Sequence, residues 1–311
     1  MSSLSTLQPS PLHAPAAAPG QGTRAVGRFA ETPAVRYLRR VFAVLQHTSP
    51  GMAARLAYTL LTRPPRVAER PWQASLRAQA RTQWLPFSGG RLAVYSWGAG
   101  PTVLLVHGWG ARSTHLGRMV QPLVEAGYRV VAFDAPGHGH SSGRTATLPQ
   151  FAEAIAAVGL SVGEVHTLIA HSFGVSMALW AQVDWGLRAQ RQVLFSSLDH
   201  CNWVTEEFGR LVGLPPAVME RGRQLMVRRS AGRMDWERLS VGDLLAHTEE
   251  PTLLLHDVLD PEVPIEHLFS IMARCADRPL QVHVTDGLGH HRLLGDAAVM
   301  RRVQAFMGNA A

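Results

Sequence analysis

From Leu85 onward the chain alternates between two hydrophobic textures. Short apolar runs of strand length occur at Leu92–Trp97, Thr102–His107, Arg129–Asp134, Val165–Ala170, Gln192–Ser197, Pro251–His256 and Pro279–Thr285. Between most of them, apolar positions recur every three or four residues, which predicts helices around 115–126, 148–159, 173–186 and 296–307. Strands alternating with helices imply an α/β fold with a mostly parallel sheet covered on both faces. In such sheets ligands bind beyond the carboxyl ends of the strands. Functional residues are therefore expected just after the strands.

The first 84 residues read differently. Val35, Leu38, Val41, Phe42 and Leu45 recur at helical spacing and predict a helix over 34–48, with Arg36, Arg39 and Arg40 off the stripe. Ser49-Pro50-Gly51 breaks that pattern. A second helix is expected over 52–62, closed by Pro64-Pro65, and a third around 69–82. Residues 1–33 are rich in Pro, Ala, Ser and Gly and are expected to be a disordered tail. They lack the apolar stretch of a secretory signal. The chain thus divides into a tail (1–33), a basic helical extension (34–84), an α/β core (85–198 and 247–311) and a helical cap insertion (199–246).

Composition narrows the function classes. Of 311 residues, 46% are apolar, enough for a sizeable core. No apolar run reaches the roughly 18–20 residues of a membrane span. Two cysteines, Cys201 and Cys275, exclude a disulfide framework, and no CxxC pair suggests zinc. The net charge is +7, and every basic residue is arginine. Residues 1–84 hold 11 Arg against 2 Glu, so the excess lies in the extension and the remainder is near neutral. That distribution argues against a nucleic-acid-binding body. The extension either packs on the main domain or lies on an anionic membrane surface through residues 34–66. A cytoplasmic protein without cofactor or metal is expected.

Three strand ends carry candidate chemistry. At Ala170-His171-Ser172-Phe173-Gly174 an apolar strand ends, small residues surround a serine, and a helix begins. This is the pattern of a nucleophile elbow, with Ala170 at its first small position. The turn lifts Ser172 Oγ clear, and the Phe173 N–H at the helix start points at a developing oxyanion. At His107-Gly108-Trp109-Gly110 the glycines free the backbone, so the Trp109 N–H can complete the oxyanion hole. His107 precedes the turn and is expected to pack structurally. The C-terminal runs His256-Asp257-Val258-Leu259-Asp260-Pro261-Glu262-Val263-Pro264 and Gly287-Leu288-Gly289-His290-His291 each follow a strand. A serine hydroxyl needs a base to take its proton, and imidazole suits that near neutral pH. A buried carboxylate then orients the imidazole.

With these motifs in this order, the chain resembles the α/β-hydrolase superfamily over roughly residues 88–308. Phe133-Asp134-Ala135-Pro136-Gly137-His138-Gly139-His140-Ser141 adds to the likeness. The chain is similar to poorly characterised bacterial serine hydrolases of this superfamily. The resemblance implies the fold, a serine mechanism, and the chain order of nucleophile, acid and base: Ser172, Asp260, His290. It favours Asp260 over Asp257, because the acid precedes a short turn leading to proline. It favours His290 over His291, because the base directly follows the Gly-x-Gly turn. His171 is expected to support the elbow, and His138 and His140 to be loop groups rather than metal ligands. Relatives that cleave epoxides or haloalkanes carry aspartate at the elbow, so Ser172 points to acyl transfer.

Trp203, Phe208, Leu211, Met219, Leu225, Met226 and Trp236 give the cap its apolar content. They form either the cap's own core or the wall of an apolar acyl pocket. The expected reaction is carboxylic ester hydrolysis on a small-molecule substrate. Thioesterase and acyltransferase chemistry need the same residues. A non-catalytic lipid-binding protein on this scaffold is the alternative of another class.

Overall fold

The computed structural model describes residues 32–308. The tail expected over 1–33 lies, but for its last two residues, outside the described residues.

Eight strands form one sheet: β1 (Arg81–Phe87), β2 (Gly90–Trp97), β3 (Thr102–Val106), β4 (Arg129–Phe133), β5 (Val165–His171), β6 (Ala189–Phe195), β7 (Thr252–Asp257) and β8 (Leu280–Thr285). Their order is β1-β2-β4-β3-β5-β6-β7-β8. β1–β2 and β2–β4 pair antiparallel; the other neighbours are parallel. The central strands alternate between two cores. Leu104, Val106, Leu168, Ala170 and Leu194 face one side, and Val103, Leu105, Ile169, Val193 and Phe195 face the other. Burial on both faces explains why these strands are almost continuously apolar.

Helices α5 (Leu148–Val162) and α6 (Phe173–Trp185) cover the first face, where Phe151, Ile155, Val175 and Leu179 are buried. The opposite face is covered by a 3-10 turn (Ser113–Met119), α4 (Val120–Glu125) and α12 (Ala297–Gly308), through Met119, Leu123, Val303 and Phe306.

The N-terminal helices are α1 (Pro33–Thr48), α2 (Pro50–Leu61) and α3 (Pro71–Ala78). The helix expected over 69–82 stops at Ala78, so the extension is not helical to residue 84. β1 occupies the following residues as an edge strand, with one neighbour and mostly exposed positions. An edge strand needs no apolar alternation and tolerates Pro86, which is why it carries no sequence signal.

Cap helices α7 (Cys201–Val212) and α8 (Pro216–Arg229) follow β6. α1 and α2 pack on these helices. Phe42, Ala53, Ala54 and Ala57 form a separate buried cluster with Val212, Leu214, Val218 and Met219. Three alanines on α2 let its backbone approach α8 closely. Arg39, off the apolar stripe, donates from Nε to the Leu211 carbonyl at 2.8 Å, beside the carbonyl end of α7. The extension is thus a second tier of the cap. α9 (Val241–Ala246) ends the cap insertion, and α10 (Glu266–Arg274) follows β7 where the sequence predicted no helix. The remaining helix, α11 (Gly289–Arg292), follows β8.

Candidate active site

Ser172 sits between β5 and α6 with φ 56° and ψ −131°. A non-glycine residue in this region costs on the order of 1–3 kcal/mol and persists only where its surroundings enforce it. Here the Ser172 N–H donates to the Phe195 carbonyl at 2.8 Å, and the helix starts immediately after. Gly174 makes the turn sterically feasible, because a Cβ there would lie 2.4 Å from the His107 carbonyl oxygen. A Cβ on Gly108 would lie 3.1 Å from Ser172 Cβ, so the loop after β3 rests against the serine.

Two buried imidazoles shape that loop. His107 donates from Nδ1 to the Gly108 carbonyl at 2.7 Å and accepts from the Ala135 N–H at Nε2, 3.0 Å. His138 donates from Nδ1 to the Pro136 carbonyl and accepts from the Gly110 N–H at 3.1 Å. These bonds require neutral rings. Burial lowers the pKa of His107, and burial with His107 nearby lowers that of His138 to about 3. Trp109 lies between these anchors, and its N–H has no acceptor among the described residues. Phe173 opens α6, so its N–H has no acceptor within the helix.

The acid and base candidates meet beyond β7 and β8. His290 Nδ1 donates to Asp260 Oδ2 at 2.8 Å, and both side chains are buried. Asp260 Oδ1 accepts from the Glu262 and Val263 N–H groups at 2.8 and 2.9 Å. Burial pushes the Asp260 pKa up; the His290 hydrogen bond and charge and these two N–H groups outweigh it and bring it to about 2. Asp257 is spent on the turn, accepting from Thr285 Oγ1 at 2.7 Å and the Leu288 N–H at 2.8 Å. His171 donates from Nε2 to the His290 carbonyl at 3.1 Å, and its ring centroid lies 4.5 Å from that of His290. Burial, with His290 and His291 alongside, drives the His171 pKa well below the usual imidazole value. The elbow and the His290 backbone are therefore tied together through His171. Ser172 Oγ itself has no hydrogen-bond partner among the described residues.

Asp134 organises the loop that flanks the site. It accepts from Ser113 N and Oγ at 2.8 Å each and from the His140 N–H at 2.8 Å. Burial opposes its ionisation, but these bonds outweigh burial and hold its pKa well below the usual carboxylate range.

Residues 101–219 match the family model described as the alpha/beta hydrolase fold. The chain has the fold of the α/β hydrolases. An esterase of Pyrococcus furiosus superposes with TM-score 0.60 at 20% identity, over 79% of this chain and 96% of that one. Est1E from Butyrivibrio proteoclasticus, solved with ferulic acid, gives 0.58 at 18% identity, over 73% of this chain and all of the other. A membrane phospholipase A gives 0.55 at 21% identity, over 89% and 98%. A curated relative is the dihydrolipoyllysine-residue acetyltransferase component of the acetoin cleaving system of Cupriavidus necator, 40% identical over 90 residues. That match spans 28% of this chain and 24% of the relative.

Two features escaped the sequence. One is a strap formed by 62–67. Pro65 packs over Gly110, the Ala146 N–H donates to the Thr62 carbonyl at 2.9 Å, Arg66 donates to the Gly143 carbonyl, and Arg112 donates to the Val67 carbonyl at 2.7 Å. Pro64-Pro65 signalled only a helix end. The other is Glu262, whose carboxylate contacts His291 Nε2 at 3.0 Å and lies 3.8 Å from His290 Nε2. Nothing local marks either, because both depend on tertiary contacts.

A small cavity of about 30 Å³ lies between the loop after β3 and the cap, lined by Leu61, Trp109, Phe173, Val204, Met226 and Trp236 among others. Leu61 comes from α2, so the extension supplies part of this wall.

Proposed function

We propose that this protein is a serine hydrolase of carboxylic esters. The observation that carries the reading is the buried 2.8 Å Asp260–His290 contact, tied through His171 to the elbow that holds Ser172 at a positive φ. In this reading Ser172 Oγ attacks the ester carbonyl carbon while His290 Nε2 takes its proton. The Trp109 and Phe173 N–H groups hold the oxyanion of the tetrahedral intermediate. The C–O bond then breaks, His290 returns the proton to the leaving alcohol, and an acyl-Ser172 ester remains. Water, deprotonated by His290, releases the acid and restores the serine. Asp260 keeps the His290 proton on Nδ1 and stabilises the imidazolium. Serine–base contacts are often long in unliganded enzymes and tighten with substrate.

The cavity between Trp109, Phe173 and the cap supports an apolar acyl group. At about 30 Å³ it holds about two waters, so turnover is expected at the short end of an ester series unless the cap moves. Thioester hydrolysis and acyl transfer to an alcohol use the same steps with a different leaving group or acceptor. The acetyltransferase relative and a thioesterase neighbour favour keeping those acceptors in the assay.

The test is fluorophosphonate labelling of wild type beside Ser172→Ala, with p-nitrophenyl esters from C2 to C12. Labelling and turnover of wild type alone support the reading. Folded wild type that neither labels nor turns over an ester would sink it and favour a binding protein on this scaffold.

We further propose that residues 34–66 contact anionic lipid. This stretch holds six arginines and no acid. Tyr37, Arg40 and Val44 of α1 and Met52 and Arg55 of α2 are exposed on the cap. A basic surface bearing exposed apolar side chains suits a membrane interface. No helix among the described residues is long and apolar enough to cross a membrane.

A further inference from the structure

A ring nitrogen of each of His171, His290 and His291 lies within 4.8 Å of the other two. His171 is already committed at Nε2, to the His290 carbonyl. The other two rings turn Nε2 toward one carboxylate, that of Glu262, with contacts of 3.0 Å to His291 and 3.8 Å to His290. Two imidazole nitrogens and a carboxylate thus converge beside the elbow, from the loops after β7 and β8.

We propose that His290 Nε2, His291 Nε2 and the Glu262 carboxylate form an inhibitory site for a zinc-type divalent cation. Several features favour a metal rather than a plain ion pair. The far nitrogen of His290 donates to a buried carboxylate, the outer-shell arrangement that orients and strengthens metal-binding imidazoles. The set of two imidazoles and one carboxylate suits zinc, copper or nickel, whereas calcium and magnesium prefer all-oxygen surroundings. Glu262 and Asp260 together supply two negative charges against a divalent ion. Zinc binds such ligands at about 2.0–2.2 Å, so the donors must close on the ion by rotation of side chains. His291 is 64% exposed and Glu262 44% exposed at the side chain, which leaves them that freedom. His290, buried and fixed by Asp260, is the anchor.

The functional consequence rests on the hydrolase reading. A cation on His290 Nε2 occupies the lone pair that would take the Ser172 proton, so the bound metal switches the enzyme off and a chelator restores it.

The test uses the full chain. Zn²⁺ binding is followed by calorimetry and Co²⁺ binding by visible absorption, for wild type, His291→Ala, Glu262→Gln and the exposed control His47→Ala. Ester turnover is read with and without EDTA. One ion is expected per chain in wild type and His47→Ala, with EDTA-reversible inhibition. Removing either ligand should weaken binding by more than about 10-fold, the least effect known even for outer-shell partners. Basal turnover should remain in both variants. Unchanged affinity in His291→Ala and Glu262→Gln, or no stoichiometric binding to wild type, would overturn the proposal. Stoichiometric binding lost in both variants, in a protein that never turns over an ester, would uphold the metal site while removing the hydrolase reading.

Discussion

The sheet and the helical tier above it hold their side chains by different means. In the sheet, alternate residues of each central strand enter two cores, and nearly all are fully buried. In the tier, one phenylalanine and a face of alanines meet four residues of the cap, and most flanking apolar side chains are only partly covered. The candidate chemistry follows this division. Ser172, Asp260 and His290 hang from strand ends, while Leu61 of the tier and Met226 and Trp236 of the cap line the cavity against Trp109 and Phe173. Placement of the candidate groups is therefore rigid, and the cavity wall belongs in part to the less densely buried region. Substitutions in the sheet-borne groups should change kcat at constant fold. Substitutions in the tier should change stability locally, and with it chain-length preference.

The largest expected effect is on the sheet side. Asp260→Asn keeps the size of the side chain but cannot hold the proton on His290 Nδ1, and kcat should fall by about 10⁴-fold. Thermal unfolding should move little by comparison. A mutant with near wild-type kcat would show that the buried contact is structural.

Next is the tier. Phe42 is fully buried, edge-on to Phe208 with ring centroids 6.3 Å apart. Phe42→Ala should cost about 3–5 kcal/mol. Hydrogen exchange should accelerate in 33–61 and 201–229 while the central strands stay protected. Uniform acceleration through β3 and β5 would mean that sheet and tier unfold as one unit, which erases the distinction.

How far each part was legible follows from the same contrast. The central strands announced themselves because burial on both faces demands apolar runs. β1 did not, since one neighbour and an exposed face leave Arg81, Gln83 and Pro86 unconstrained. The choice of Asp260 over Asp257, and of His290 over His291, rested on motif order and turn position. The geometry pairs Asp260 with His290 and leaves Asp257 in the turn. The Glu262 contacts were illegible because they join two loops that only the fold brings together. That α1 and α2 rest on the cap was equally hidden: an apolar stripe says that a helix packs, not on what.

Acid should separate the two regions again, at smaller cost. The Asp260 pKa is depressed in the folded protein, so its contribution is complete above the unfolded carboxylate value of about 3.9 and is lost as pH falls toward about 2. The depression is worth about 2–3 kcal/mol. Wild type should therefore lose stability between about pH 4 and 2 more steeply than Asp260→Asn. Parallel curves for the two proteins would mean that the folded-state carboxylate is not depressed.

The smallest effect per residue is at the exposed basic surface of the tier, proposed above to meet lipid. Each arginine near an anionic bilayer contributes about 1 kcal/mol, and salt screens it. Arg40→Gln with Arg55→Gln should reduce co-flotation with phosphatidylserine vesicles by about 30-fold in partition coefficient at low salt. Turnover of a water-soluble short ester should be unchanged, because neither residue lines the cavity. If both proteins float equally, the arginines merely solvate the outer face of the cap, and substrates arrive from water. If the double variant stays in solution and keeps its soluble activity, the tier has two separable faces. One closes over the pocket, and the other sets where the enzyme meets its ester.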